Sequence, residues 1–142
     1  WGGKYGAWEK IDGLEKEIVL EALTPTKIYV KDFLSLIEKV NVKGAIHITG
    51  DAYKKFSVFG NFGFEFDNFS PQPIFNLLQE AGEVEEKEMF TRFNMGWGFA
   101  VIVEKENVDS VLQSLGNQAE QIGQVTDTNQ VIIKHNGKSI LL

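Results

Sequence analysis

Residues 131–142 read "VIIKHNGKSILL". Two apolar runs flank Asn136-Gly137, a pair that readily supplies the two left-handed residues of a tight hairpin turn. The chain is therefore expected to close on an antiparallel pair of strands. The hairpin decides for an α+β fold.

The elements before it fit that frame. "NVDSVLQSLG" (107–116) reads as a helix from an Asn107 cap to Gly116, with Val108, Val111, Leu112 and Leu115 inward. "AEQIGQVTD" (119–127) carries a strand, and "GWGFAVIVEK" (96–105), the most apolar strand, is expected at a sheet centre. "SPQPIFNLLQEAG" (70–82) is a helix capped by Ser70 with Pro71 at its first position. Its stripe is Ile74, Leu77, Leu78 and Ala81, and an acidic helix, "EVEEKEMF" (83–90), follows. "FGFEFDNF" (62–69) alternates as a half-buried strand. "KDFLSLIEKV" (31–40) is an amphipathic helix with Asp32 as N-cap and Phe33, Leu36, Ile37 and Val40 as its stripe. "KGAIHIT" (43–49) is a strand with Ile46 and Ile48 on one face and Ala45, His47 and Thr49 on the other; "DAYKKF" (51–56) turns off it as a short helix. "EKEIVLEAL" (15–23) fits a short helix, and residues 1–14 lack periodicity. The expected architecture is a mixed, largely antiparallel sheet covered by helices on one face, with ferredoxin-like elements in the second half.

With 142 residues, 43% of them hydrophobic, the chain can bury one core. Its net charge of −6 and scattered lysines argue against a nucleic-acid face. No apolar run approaches the ~20 residues of a membrane helix. Without cysteine, and with histidine only at 47 and 135, no metal site is expected. Phosphate-loop, dinucleotide and nucleophile-elbow motifs are all missing.

Three stretches could carry chemistry. In "AIHITGDAY" (45–53), His47 and Thr49 share a strand face, and the Gly50-Asp51 turn opens a helix that would favour an anion. On residues alone, a hydrogen-bonded core histidine beside a capping turn explains it as well, and that arrangement is commoner. In "FTRFNMGWG" (90–98), Arg92, the only arginine, could pair with phosphate or carboxylate, or with a neighbouring glutamate. Gly96 and Gly98 leave room there for a close approach of the backbone. In "LTPTKIYVKD" (23–32), Lys27, Tyr29 and Lys31 offer ammonium and hydroxyl groups, though a plain loop serves equally.

Three longer pieces stand in one order: "LTPTKIYVKDFLSLIEKVNVKGAIHITGDAY" (23–53), "PQPIFNLLQEAGEVEEKEMFTRFNMGWGFAVIV" (71–103) and "IGQV" (122–125). Together they resemble the C-terminal domain of aminoimidazole ribonucleotide synthetase, also called phosphoribosylformylglycinamidine cyclo-ligase, from about residue 20 to about 126. The resemblance implies an ATP-dependent ring closure in purine biosynthesis, with ATP and magnesium held mainly by an N-terminal half that this sequence lacks. It implies that formylglycinamidine ribonucleotide and ATP are the ligands, that the chain's own N-terminal half is a partner, and that the full-length protein is a cytoplasmic homodimer. It also implies site roles: His47 as the catalytic group, Thr49, Gly50 and Asp51 on phosphate oxygens, Arg92 and Asn94 on the cleft wall, and Thr26 and Lys27 at its rim. Two departures stand out, since the family prefers glycine where this chain has Asp51 and Ala52, and arginine where it has Lys27.

The expected division is a linker or interdomain segment over 1–23 and the C-terminal domain over 24–142. The start at Trp1 suggests a cut within a longer protein, and such a cut is expected to expose apolar surface. Two other readings stay open: a related synthetase of the same superfamily (formylglycinamidine ribonucleotide synthetase-like or selenophosphate synthetase-like), or a free-standing, non-catalytic domain that binds an anion or a protein.

Overall fold

A computed structural model describes residues 3–68 and 70–142. Trp1 and Gly2, at the head of the expected linker, and Phe69, at the end of one expected strand, lie outside the described residues. In chain order the elements are α1 (Ile18–Ala22), α2 (Val30–Ile37), β1 (Val42–His47), a 3-10 helix (Ala52–Phe59), β2 (Gly63–Phe66), α3 (Pro73–Gly82) and α4 (Glu86–Arg92). They continue with β3 (Phe99–Val103), α5 (Val108–Leu115), β4 (Gly123–Thr126), β5 (Val131–His135) and β6 (Lys138–Leu141). The α+β class holds, and so does the closing hairpin. Asn136 and Gly137 take φ of 49° and 74°, the left-handed pair that such a turn requires.

The strands form two sheets among the described residues. β1 and β3 make an antiparallel ribbon, with His47 opposite Phe99. The other sheet runs β4-β2-β5-β6 and is mixed: β2 pairs antiparallel with β4 and parallel with β5, and β5 pairs antiparallel with β6. The apolar run at 99–103 is thus half of a two-stranded ribbon and not a central strand. Its uniform hydrophobicity comes from burial on both faces. Ala100 and Ile102 face the main core, while Val101 and Val103 meet α2 and α5 through Leu36, Val40 and Val111.

The main core lies between the ribbon and the larger sheet. Phe64, Phe66, Val131 and Ile133 pack there against Met89 and Phe90 of α4. The 3-10 helix contributes Tyr53, Phe56 and Phe59. A spacing of three matches the three residues per turn of that helix, so these rings share one face.

Two expected helix starts move. α2 begins at Val30, with Tyr29 at the N-cap position, and Asp32 falls in the first turn, where it pairs with Lys27 at 2.6 Å. α3 begins at Pro73, with Gln72 as N-cap; Ser70 and Pro71 remain in the connection. The Gln72 N–H donates to the Met95 carbonyl at 3.2 Å, which holds that connection extended. In the stretch expected as a linker, Tyr5, Ile11, Leu14 and Ile18 pack against Ile74 and Leu77 of α3. Among the described residues, no helix is long and apolar enough to cross a membrane. Among the described residues, six of the eleven exposed large apolar side chains fall between residues 20 and 37, so this exposed apolar surface gathers around α1 and α2.

Candidate functional site

The end of the β1–β3 ribbon organises the candidate residues. His47 closes β1, and the next N–H, of Ile48, donates to the Gly98 carbonyl at 2.8 Å. The chain then turns: the Thr49 carbonyl accepts from the Ala52 N–H at 2.8 Å. Asp51 stands at φ 63° and Ala52 at φ 35°, a backbone that glycine adopts without cost and other residues at about 1 kcal/mol or more each. The glycines that the resemblance leads one to expect at these positions would adopt this backbone without strain. Asp51 makes no side-chain cap on the 3-10 helix, contrary to what its place before a helix suggests.

The His47 ring is on the exposed face of β1, beside Tyr29 and Phe99. Its centroid is 5.9 Å from that of Tyr29, edge-on, and 6.3 Å from that of Phe99. Tyr29 stacks on Phe99 at 5.3 Å. Gly98 makes this possible. A Cβ there would stand 2.9 Å from Tyr29 Cζ and closer still to its hydroxyl oxygen. Gly96, at φ 115°, likewise admits the Gln72 side chain, whose Cγ would lie 2.9 Å from a Cβ. The close approach read from these two glycines is therefore that of side chains from 29 and 72.

Lys55 completes this end of the ribbon. Its ammonium hydrogen-bonds the Thr49 hydroxyl and reaches the His47 carbonyl at 3.4 Å. Nothing in the sequence singles it out. It lies six residues beyond Thr49, and only the tight turn at Asp51 and Ala52 folds it back.

The remaining candidates are spread around this centre. Gly50 is exposed and faces open space, with no neighbouring atom within 4 Å of where a Cβ would stand. Arg92, on the last turn of α4, is exposed and bound to Glu88 one turn back, which raises its pKa; Asp51 adds a weaker pull. Asn94 forms a turn, with Oδ1 accepting from the Gly96 N–H at 3.1 Å and its carbonyl accepting from the Tyr53 hydroxyl at 2.8 Å. Burial, with a further push from Glu120, raises the Tyr53 phenol far above its ordinary pKa, so it stays a neutral donor. Thr26 is exposed in the loop before α2. Lys27 pairs with Asp32, hydrogen-bonds Gln118 and sits 5.9 Å from the Tyr29 ring centre. The structure thus joins His47, Thr49, Gly50 and Asp51 at one turn, sets Lys27 across Tyr29 from them, and leaves Arg92 and Asn94 in local contacts.

Beyond Tyr29, a cleft of about 570 Å³ opens between α2, β3, α5 and residues 117–122. Val101, Val111 and Leu115 form its apolar floor, and Lys27, Gln118 and Glu120 its polar rim. Among the described residues, no three His, Asp or Glu side chains gather where they could hold a metal ion.

The chain can be set beside known proteins. It is 38% identical to a phosphoribosylformylglycinamidine cyclo-ligase of Methanococcus vannielii, over 89% of this chain and 40% of that protein. Against the protein of the same name from Bacillus cytotoxicus the identity is 44%, over 76% of this chain and 33% of the relative. The chain thus spans about two fifths or less of the length of these relatives. Its fold is similar to one chain in a crystal structure titled "Crystal structure of HypE-HypF complex", with a TM-score of 0.61 at 18% identity, covering 87% of this chain and 46% of that one. The family described as "AIR synthase related protein, C-terminal domain" matches residues 2–136, nearly the whole sequence. This chain belongs to the family of AIR synthase related proteins and is of its C-terminal domain type.

Proposed function

We propose that the chain is the C-terminal part of an ATP-dependent cyclo-ligase that closes formylglycinamidine ribonucleotide to aminoimidazole ribonucleotide in purine biosynthesis. The observation that carries this reading is the 38–44% identity to proteins bearing that name, running through the ribbon end that holds His47. The geometry agrees with it. An accessible imidazole on rigid strand backbone, seated against two aromatic rings, can meet a ligand with little reorganisation.

In this reading His47 polarises the formyl oxygen or holds the attacking nitrogen. Thr49, the Gly50 N–H and Asp51 border the phosphate side, and Lys27 stands at the rim of the neighbouring cleft, with Thr26 next to it in the chain. Arg92 and Asn94 act indirectly: Arg92, held by Glu88, lines the wall, and Asn94 fixes the turn that leads into Gly96 and Gly98. ATP supplies the phosphoryl group that turns the formyl oxygen into a leaving group. In this reading magnesium and most ATP contacts belong to an N-terminal half. The apolar side chains exposed around α1 and α2 suit a surface that such a half would cover. A cytoplasmic homodimer is the expected form of the whole enzyme.

The test is a substrate panel on the full-length protein with ATP and magnesium. Aminoimidazole ribonucleotide formed from formylglycinamidine ribonucleotide supports the reading. ATP turnover only with formylglycinamide ribonucleotide and glutamine, or only with selenide, replaces it with the corresponding synthetase.

A further inference from the structure

Lys55 is the one lysine of thirteen that is partly buried; the others are exposed. A partly desolvated ammonium is costly unless an opposite charge accompanies it. Yet among the described residues no carboxylate lies within 4.0 Å of Lys55, in a chain where acids outnumber bases 20 to 14. Of the cations that the sequence nominates, Lys27 is matched by Asp32 and Arg92 by Glu88, while Lys31 is exposed. Lys55 instead directs its ammonium at two neutral oxygens, the Thr49 hydroxyl and the His47 carbonyl. An ammonium has three donors, so one remains. The Thr49 hydroxyl accepts from Lys55 and so keeps its own proton for another acceptor. Both free donors belong to the ribbon end that presents the His47 ring.

We infer that Lys55, with Thr49, forms the phosphoryl-binding end of the His47 site, taking a phosphate group carried by a sugar phosphate or by a nucleotide. The inference rests on the cyclo-ligase reading only for the identity of that carrier. Lys55 is a binding residue here. It supplies the missing counter-charge relation: the anion that pairs with it arrives with the ligand. Asp51, four residues earlier, lies beyond 4.0 Å of the Lys55 ammonium and does not occupy its remaining donor.

The test is calorimetric titration of inorganic phosphate, ribose 5-phosphate and ADP into the full-length protein and its Lys55→Gln, Lys55→Arg, Thr49→Val and Lys54→Gln forms, with thermal midpoints recorded for each. Lys54 is the exposed neighbour and controls for the loss of one charge. The expected result is that Lys55→Gln and Thr49→Val each weaken binding of at least one phosphate compound by about tenfold, while Lys55→Arg retains most of it and Lys54→Gln changes little. The compound affected identifies the carrier. Equal effects of Lys55→Gln and Lys54→Gln, or no phosphate binding by the unmodified protein, overturn the inference. If the protein binds phosphate through Lys55 but closes no ring, the inference stands and the cyclo-ligase reading falls.

Discussion

Replacing Gly98 with alanine tests the geometry that seats His47. The new Cβ would stand 2.9 Å from Tyr29 Cζ, inside the 3.4 Å at which ordinary contact begins, and the hydroxyl oxygen would clash harder. The Tyr29 ring must retreat by at least roughly 0.5 Å, and overpacking of this kind costs about 1–3 kcal/mol. Retreat also loosens the stack on Phe99 and the edge contact with His47, each worth about 0.5–1.5 kcal/mol. Since these contributions overlap, a net loss of about 2 kcal/mol is expected. Gly98 does not have a left-handed backbone, so alanine brings no strain of its own. Urea unfolding of the single and double variants separates the causes. In a Tyr29→Ala background the same change is expected to cost less than about 0.5 kcal/mol, because its obstacle is gone. A Gly98→Ala loss that is negligible in the parent, or equally large without Tyr29, would show that the glycine is not there to admit the ring.

Glu86 gives the fold a pH dependence. Burial pushes its carboxyl pKa up, but hydrogen bonds from His135 at 2.7 Å and from Lys138 outweigh this and hold it below the usual 4.5. The unfolded chain therefore binds the proton more readily, and the stabilisation is present above pH 4.5 and disappears as pH falls through the lower folded value. Glu86→Gln is expected to cost about 1 kcal/mol at neutral pH and to flatten the fall in stability below pH 4.5, measured by unfolding across pH; an unchanged acid limb contradicts this. Asp51→Gly, which relieves φ 63°, is expected to stabilise the fold by about 0.5–1 kcal/mol in urea. A loss of stability would mean that the aspartate makes a compensating contact.

Features set by local chemistry were legible in the sequence. The buried Leu36 and Val40 follow the helical period that marks α2, and Asn136-Gly137 turns where its left-handed preference dictates. Pairing between distant segments was not legible. An apolar run at 99–103 looks the same whether neighbouring strands or helices bury it, so its composition points to a sheet centre when the strand in fact belongs to a ribbon. Two prolines two residues apart both suit a helix start, and the hydrogen bond from Gln72 to Met95 selects Pro73. Within the site, His47 and Thr49 could be read as neighbours from their two-residue spacing, although β1 closes at His47 and Thr49 stands in the turn beyond it. An ion pair of Arg92 with a neighbouring glutamate was legible too, but its one-turn geometry with Glu88 was not, because the expected helix stopped at Phe90 while α4 runs to Arg92. Lys55 was hidden behind a turn that depends on Ala52 at φ 35°, a residue type that does not announce positive φ.

The cyclo-ligase reading and the role of His47 meet in one experiment. It compares the rate of aminoimidazole ribonucleotide formation by the full-length protein and by its His47→Ala variant, at saturating formylglycinamidine ribonucleotide and ATP. The parent protein is expected to close the ring, and the variant to lose about a hundredfold or more in kcat with an unchanged unfolding midpoint. No ring closure by the parent would remove the cyclo-ligase reading, and turnover by His47→Ala within a few-fold of the parent would remove His47 from the chemistry.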